Sequence, residues 1–316
     1  MRAILDTDVA MGAPGYEIDD GFALALITAE PLFNLELVTS VNGNIDVDSA
    51  TRLGLELLDM LGRTDVPVVR GAAAPLAEPE RAPLAPEPVP ETAPARVAAP
   101  GYAAAEIARR VVESPGEITV IAIGPLTNIA AALVLDPRVA TAVKEIVVMG
   151  GVFQGQTNLA RMPGEYNFWV DAPAARAVLR SGAPLRFVGL DVTLQVRLTR
   201  EHAAEMVSRG GRLGRYAGEM TPAWIDAMAK RYPGDPEAAR SCAMHDPLAV
   251  AAVSRPELIT WAPARVDVIT SDEVGRGAAV ADLLTSEGAP AANARIATAV
   301  DVDAFLDYLL DRIRSI

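Results

Sequence analysis

Along most of this chain, apolar runs of strand length alternate with segments of helical period. Ala3 to Leu5 precedes Gly21 to Ala29, Leu35 to Val41 precedes Ser49 to Leu61, and Ile118 to Ile123 precedes Leu126 to Leu135. Glu145 to Met149, Ala172 to Ser181 and Leu185 to Leu190 carry the pattern on. A strand that is apolar at successive positions must be covered on both faces, and the intervening helices are what can cover it. The expected fold is therefore α/β, with a mainly parallel central sheet between two layers of helices.

At 316 residues, 51% of them hydrophobic, the chain is long enough to bury a sizeable core. We expect one domain over residues 1–316, with a Pro- and Ala-rich excursion at about 72–100 that has neither helical nor strand period. An interdomain linker is the competing assignment for that segment, and the sheet pattern resuming after it favours the excursion. The last third is expected to be helical from Arg200 to about Tyr232 and again from His245 to Val253. Strands are expected at Arg265 to Ile269, Gly277 to Leu283 and Ala294 to Val300, and a final helix over Val302 to Ile313.

The net charge of -13 argues against binding nucleic-acid phosphate or an anionic membrane surface, both of which call for basic patches. The sequence contains neither an uninterrupted apolar run of about twenty residues nor a secretory apolar core. A single cysteine, Cys242, rules out an intramolecular disulfide framework. The expectation is a cytoplasmic protein acting on a small molecule.

In open parallel sheets, ligands bind at the carboxyl ends of the strands. Asp6 and Asp8 lie at the end of the first apolar run, and Asp19 and Asp20 follow one loop later. A helix N-cap would account for Asp19 or Asp20. It leaves the cluster of four unexplained, since carboxylates crowded in a partly dry cleft repel one another unless a cation lies among them. At the second strand end stands Ser40-Val41-Asn42-Gly43-Asn44, a turn sequence whose amides also suit sugar hydroxyls. The third strand ends in Ile123-Gly124-Pro125-Leu126-Thr127-Asn128, where an exposed carbonyl can serve as a hard-cation ligand.

Met149-Gly150-Gly151 is followed by Glu165-Tyr166-Asn167-Phe168-Trp169-Val170-Asp171. In an extended segment Glu165 and Asn167 would point to the same side and grip one ligand. Tyr166, Phe168 and Trp169 read as core, and Asp171 as the cap of the next helix. Late in the chain, His245-Asp246-Pro247 puts a residue that titrates near neutrality beside a carboxylate. The other histidine, His202, sits in a charged helix and reads as surface.

Taken in this order, from Asp6 to Asp246, these motifs resemble the inosine-uridine nucleoside N-ribohydrolase family. That resemblance implies a Rossmann-like nucleoside hydrolase fold and cleavage of the N-glycosidic bond of ribonucleosides to ribose and free base. It also implies a calcium ion held by Asp8, Asp20, the carbonyl of Ile123 and Asp246, with Asp8 as the base. Asp19, Asn44, Asn158, Glu165 and Asn167 match positions that bind ribose hydroxyls. His245 matches the position that donates a proton to the departing base or orients it, and Trp224 and Tyr232 are the aromatics we expect against that base. A homodimer or homotetramer is the assembly the resemblance suggests.

Two stretches depart from the family's pattern. Val9 to Ile18 intervenes between the two acidic pairs where the family has a short turn, bringing Tyr16 and Glu17 close to the cluster. The segment 72–100 lacks the glycine-rich stretch with a histidine common in the family, so no base preference is implied. Two other readings compete. Asp6-Thr7-Asp8 can be taken as the acid pair of a haloacid-dehalogenase-like phosphohydrolase, although Ala10 stands where that motif needs Thr or Val. A nucleoside-binding protein with little turnover would keep the same residues.

Overall fold

The structure, a computed structural model, describes residues 1–83, 96–155, 157, 164–271, 274–284 and 287–316. The strands are β1 (Arg2–Thr7), β2 (Asn34–Ser40), β3 (Val68–Arg70), β4 (Ile118–Ala122), β5 (Glu145–Met149) and β6 (Leu185–Val188). After them come β7 (Arg197–Thr199), β8 (Ser241–Ala243), β9 (Ile259–Val268), β10 (Ala279–Asp282) and β11 (Ala294–Val300). The helices of the first half are α1 (Asp19–Ala29), α2 (Val47–Met60), α3 (Ala103–Glu113), α4 (Thr127–Leu135), α5 (Val139–Ala142) and α6 (Tyr166–Val170). The rest are α7 (Ala172–Leu179), α8 (Leu190–Thr193), α9 (Arg200–Arg209), α10 (Arg212–Arg231), α11 (His245–Ser254) and α12 (Val302–Arg314).

Among the described residues, nine strands form one sheet in the order β10-β9-β11-β6-β5-β4-β1-β2-β3, and β7 pairs with β8 in a separate ribbon. From β3 to β11 neighbouring strands are parallel, while β9 runs antiparallel to both β11 and β10. The chain leaves β1 toward β2 and β3, then returns to the other side of β1 as β4. That reversal opens a crevice beyond the carboxyl ends of β1 and β4. Asp8, Asn42 to Asn44, Ile123 to Pro125 and Gly150-Gly151 all follow strand ends on this rim.

The apolar runs are buried on both faces, as expected. In β1, Ala3 and Leu5 pack into one core layer with α1, α2, α11 and α12, while Ile4 packs into the opposite layer with α3, α4 and α7. No helix among the described residues is long and apolar enough to cross a membrane.

The differences from expectation have local causes. The helical stretch from Arg200 divides at Gly210-Gly211, where a side chain on Gly211 would collide with the carbonyl of the terminal Ile316. β9 starts at Ile259, earlier than its apolar pattern showed, because its first half alternates exposed and covered positions. Asp19 and Asp20 lie inside the first turn of α1 and do not cap it; Ile18 stands at that position. Glu165 to Asn167 is not extended: Glu165 caps α6, and Asn167 lies within it.

Residues 84–95 of the Pro- and Ala-rich segment lie outside the described residues. On its near side, Ala72 and Leu76 donate backbone N–H groups to Asn128 and Asp171, and on its far side Ala99 bridges Val69 beside β3.

Asn128 ties the rim together. Its Nδ2 donates to Asp6 Oδ1 at 2.8 Å and to the Ser40 carbonyl at 2.9 Å, and its Oδ1 accepts from Ala72 N at 2.9 Å. All three bonds are buried, so each group left alone would keep its desolvation penalty. Asn128→Ala is expected to lower the unfolding free energy by about 3 kcal/mol in urea titration. An unchanged midpoint and slope would show that the network is dispensable.

Candidate active site

Asp6 and Asp8 sit two residues apart at the end of β1 yet serve different surroundings. Asp6 accepts from Thr39 Oγ1 at 2.5 Å and from Asn128, stitching β1 to β2 and α4. Asp8 sits beyond the strand, where Asn44 N donates to its Oδ2 at 2.6 Å and its Oδ1 is buried without a partner among the described residues. The loops after β2 and β4 press on this carboxylate. A Cβ at Gly43 would fall 1.9 Å from Asp8 Oδ2, and one at Gly124 would fall 2.7 Å from Oδ1.

The first turn of α1 brings Asp19 and Asp20 to the same place. Asp20 accepts from Thr7 Oγ1 and, at 3.0 Å, from Asn44 Nδ2. Asp246, in the first turn of α11, donates its backbone N–H to Asp19 Oδ2 at 3.1 Å, and Asp19 Oδ1, like Asp6 Oδ2, is buried without a partner among the described residues. Oxygens of Asp19, Asp20 and Asp246 lie within 4.8 Å of one another. Burial raises the pKa of every acid here, and mutual repulsion adds to it. Asp8 and Asp246 are held well above the usual carboxylate range, and Asp19 is pushed up to about 7. The orphaned oxygens and the all-oxygen donor set fit a hard divalent cation, whose charge would reverse these shifts.

The far wall of this polar pocket is α6. Asn167 Nδ2 donates to the Ile123 carbonyl at 2.9 Å and to the Met149 carbonyl at 3.2 Å, joining the ends of β4 and β5. Glu165 is buried, but its oxygens accept from the backbone N–H groups of Gly151, Asn167 and Phe168, so capping occupies most of its acceptor capacity. Tyr166, expected in the core, reaches across to donate its hydroxyl to the Gly43 carbonyl at 2.8 Å. Phe168 is core, and Asp171 caps α7 as expected.

Beside the polar pocket opens a cleft of about 700 Å³, lined among others by Tyr16, Trp224, Met228, Arg231 and Tyr232. Glu17, Asn44, Tyr166 and His245 line both cavities and form the neck between them. Trp224 is only 8% exposed, so it serves core and cleft together. His245 shares a 2.7 Å hydrogen bond between Nδ1 and Thr193 Oγ1. Burial, reinforced by Arg197, lowers its pKa to about 4, which leaves the imidazole neutral near neutrality. His202 belongs to a capping box with Thr199 and is remote from these cavities.

The structure thus brings together Asp8, Asp19, Asp20, Asn44, Ile123, Glu165, Asn167, His245 and Asp246, with Trp224 across the neck. Asn158 lies outside the described residues. Sequence reasoning missed Asn128 and Thr193, which touch the site only through other side chains. It also missed the reach of Tyr166, for which the polar neighbours Glu165 and Asn167 were the available signal.

Comparison with known proteins identifies relatives of the whole chain and of its fold. The sequence profile described as "Inosine-uridine preferring nucleoside hydrolase" matches residues 3–307. The chain is 34% identical to the non-specific ribonucleoside hydrolase RihC of Salmonella schwarzengrund, over 98% of this chain and 97% of that protein. Its fold superposes on a plant nucleoside hydrolase, PpNRh1, with a TM-score of 0.88 at 27% identity, covering 100% and 99% of the two chains. The purine-preferring ribonucleoside hydrolase of Gardnerella vaginalis gives 0.87 at 28% identity, covering 100% and 98%.

The buried acids set a pH dependence. Asp6 and Asp19 are each pushed up to about 7, chiefly by burial, so the folded chain keeps protons that the unfolded chain has already released. Stability of the metal-free protein therefore falls as pH rises from the ordinary carboxylate range toward 7 and above. Surface acids with lowered pKa, such as Asp48 beside Arg70, are ionised in both states throughout that window and add no slope. Thermal unfolding in chelator should give a lower midpoint at about pH 8 than at about pH 5, and a divalent cation should remove the difference. A midpoint that climbs with pH in chelator would contradict this account.

Proposed function

The chain belongs to the inosine-uridine preferring nucleoside hydrolase family, and from that premise we propose how its residues divide the work of hydrolysing ribonucleosides to ribose and free base. The observation that carries the assignment is the cluster of buried acids whose Asp8 Oδ1 and Asp19 Oδ1 have no partner among the described residues, set against a polar pocket that Asp19 and Asp246 line and that opens past His245 onto an aromatic cleft. Ribose fits the pocket by its hydroxyls, and the base fits the cleft by its faces.

The metal we propose is calcium, held by Asp8, Asp20, the Ile123 carbonyl and Asp246; hard carboxylate and carbonyl oxygens suit it better than zinc. When bound, such an ion supplies Lewis acidity toward water and the ribose diol. Asp8 takes a proton from the attacking water through Oδ1, while Asn44 N fixes the carboxylate by Oδ2. Asp19 accepts from a ribose hydroxyl with its free Oδ1. Asn44, Asn158, Glu165 and Asn167 complete the ribose contacts. Glu165 acts with the acceptor capacity that its cap leaves over, and Asn167 acts from a helix already fixed to Ile123 and Met149.

Bond cleavage develops positive charge on the ribosyl carbon and ring oxygen, next to these carboxylates, which favours it. The leaving base needs a proton or a hydrogen bond on the side of the neck. His245, its Nδ1 engaged by Thr193, has Nε2 left for that purpose. Trp224 stacks on the base. The named relatives include both a non-specific and a purine-preferring enzyme, so they favour no single base.

We also propose that the chain acts as one domain, in the cytoplasm, as a homodimer or homotetramer, without nucleic-acid or membrane partners. Cys242, buried and without a disulfide partner, supports a reducing compartment.

Incubation with inosine, adenosine, guanosine, uridine and cytidine should release free ribose, and Asp8→Asn should reduce that release about a thousandfold with the fold intact. Undiminished turnover by Asp8→Asn would remove Asp8 as the base. Phosphate release from phosphate esters in place of ribose release would instead support the phosphohydrolase reading. His245→Ala should slow nucleosides with poor leaving groups far more than an activated aryl riboside. Equal losses on both would remove His245 from leaving-group chemistry.

A further inference from the structure

A helix of five residues cannot sustain itself, since nucleation alone outweighs its few internal bonds. α6 is nevertheless the element that aims Glu165, Tyr166 and Asn167 at the polar pocket, so something outside it must hold it. Its N-terminal end is closed by Glu165. At its C-terminal end stands Arg276, on the connection between β9 and β10, which is distant in sequence and only 3% exposed.

Arg276 Nε donates to the Trp169 carbonyl at 3.1 Å, and Nη2 lies 3.5 Å from that of Val170. Nη1 donates to the Thr270 carbonyl at 3.0 Å, within its own loop. Nη2 also pairs with Glu78 Oε2 at 2.6 Å, and the same oxygen accepts from Arg81 Nε at 2.5 Å. The Arg81 guanidinium in turn lies 4.7 Å over the Trp169 ring. The backbone packs as closely as the side chains: a Cβ on Gly277, whose φ is +78°, would meet Trp169 Cα at 2.7 Å, and one on Gly164 would meet the Gly277 carbonyl carbon at 2.9 Å.

A cation at a helix C-terminus is favoured by the unsatisfied carbonyls there, and the planar guanidinium fork can serve two elements together in a way that an ammonium cannot. We propose that Arg276 is a positioning residue for substrate binding: it clamps α6 between the β9–β10 connection and the segment carrying Glu78 and Arg81. Through that clamp, Asn167 and Glu165 keep their aim at the pocket. The proposal rests on the reading of that pocket as the ribose site.

The test compares Arg276→Met, Arg276→Lys and Glu78→Gln with the wild-type protein, using calcium-loaded full-length chain and the nucleoside that the wild type hydrolyses fastest. Arg276→Met should raise KM about tenfold or more with a smaller fall in kcat, and should speed amide exchange across residues 165–170. Arg276→Lys, keeping the charge but losing the fork, should fall between the two. Glu78→Gln should also raise KM, and adding it to Arg276→Met should cost little more, because the two share one contact.

A purely structural role would lower kcat through the active fraction and leave KM alone, and that outcome overturns the proposal. If Arg276→Met does not fold, unchanged KM in both Arg276→Lys and Glu78→Gln overturns it as well. Should the wild type hydrolyse no nucleoside, the reading of the pocket fails separately. Exchange across 165–170 then still decides the clamp, and unchanged protection in Arg276→Lys and Glu78→Gln refutes it.

Discussion

Electrostatic repulsion among buried carboxylates is the constraint around which this molecule is organised. Asp8, Asp19, Asp20 and Asp246 arrive from a strand end and two helix starts, and burial raises all their pKa values. Hydrogen bonds from Thr7, Asn44 and the Asp246 backbone lower the cost without removing it, since Asp8 Oδ1 and Asp19 Oδ1 have no donor among the described residues. Such an arrangement is poor for stability and well suited to holding a cation and activating water. The surrounding fold supplies the rigidity that keeps the acids together: a sheet buried on both faces, with its strand order reversing beside β1.

The site divides chemically where the elements divide. Asp19 on α1 and Asp246 on α11 line the floor of the polar pocket, and α6 forms its wall. α10 contributes Trp224, Met228 and Arg231 to the cleft. The neck is shared by Glu17, Asn44, Tyr166 and His245, one residue from each of four separate parts of the chain. Glu17 comes from the long connection between the two acidic pairs, so that departure from the family's pattern sits at the neck between the two cavities. Its carboxylate is held well above the usual range, by burial first and then by Asp19 and Asp20.

Much of this was legible in the sequence because it depends on local pattern. Two-faced apolar strands, helical periods and polar residues just past strand ends predict a parallel sheet and name the rim where Asp8, Asn44 and the turn after Ile123 meet. What escaped was orientation. Asp6 and Asp8 share a motif, but Asp6 Oδ1 is held by Thr39 and Asn128 within the sheet, while Asp8 lies beyond the strand and is held by Asn44 N. Glu165 and Asn167 were expected to project from an extended strand, yet a helical turn makes one a cap and the other a bridge between β4 and β5. Trp224 was placed at the base, and the structure gives it to core and cleft together.

The sequence by itself determined the layered α/β fold, the N-terminal group of four aspartates and the order of motifs that marks the family, because each strand, helix and single motif is written in residues near one another along the chain. Only the tertiary structure decided which acid oxygens stay unpartnered, that Tyr166 crosses to Gly43, and that Arg276 reaches the end of α6. Those outcomes depend on contacts between residues 14 to 227 positions apart, such as Glu165 with Gly151 and Asp246 with Asp19. Their geometry is set by how the sheet twists and the loops close, and no local pattern encodes that.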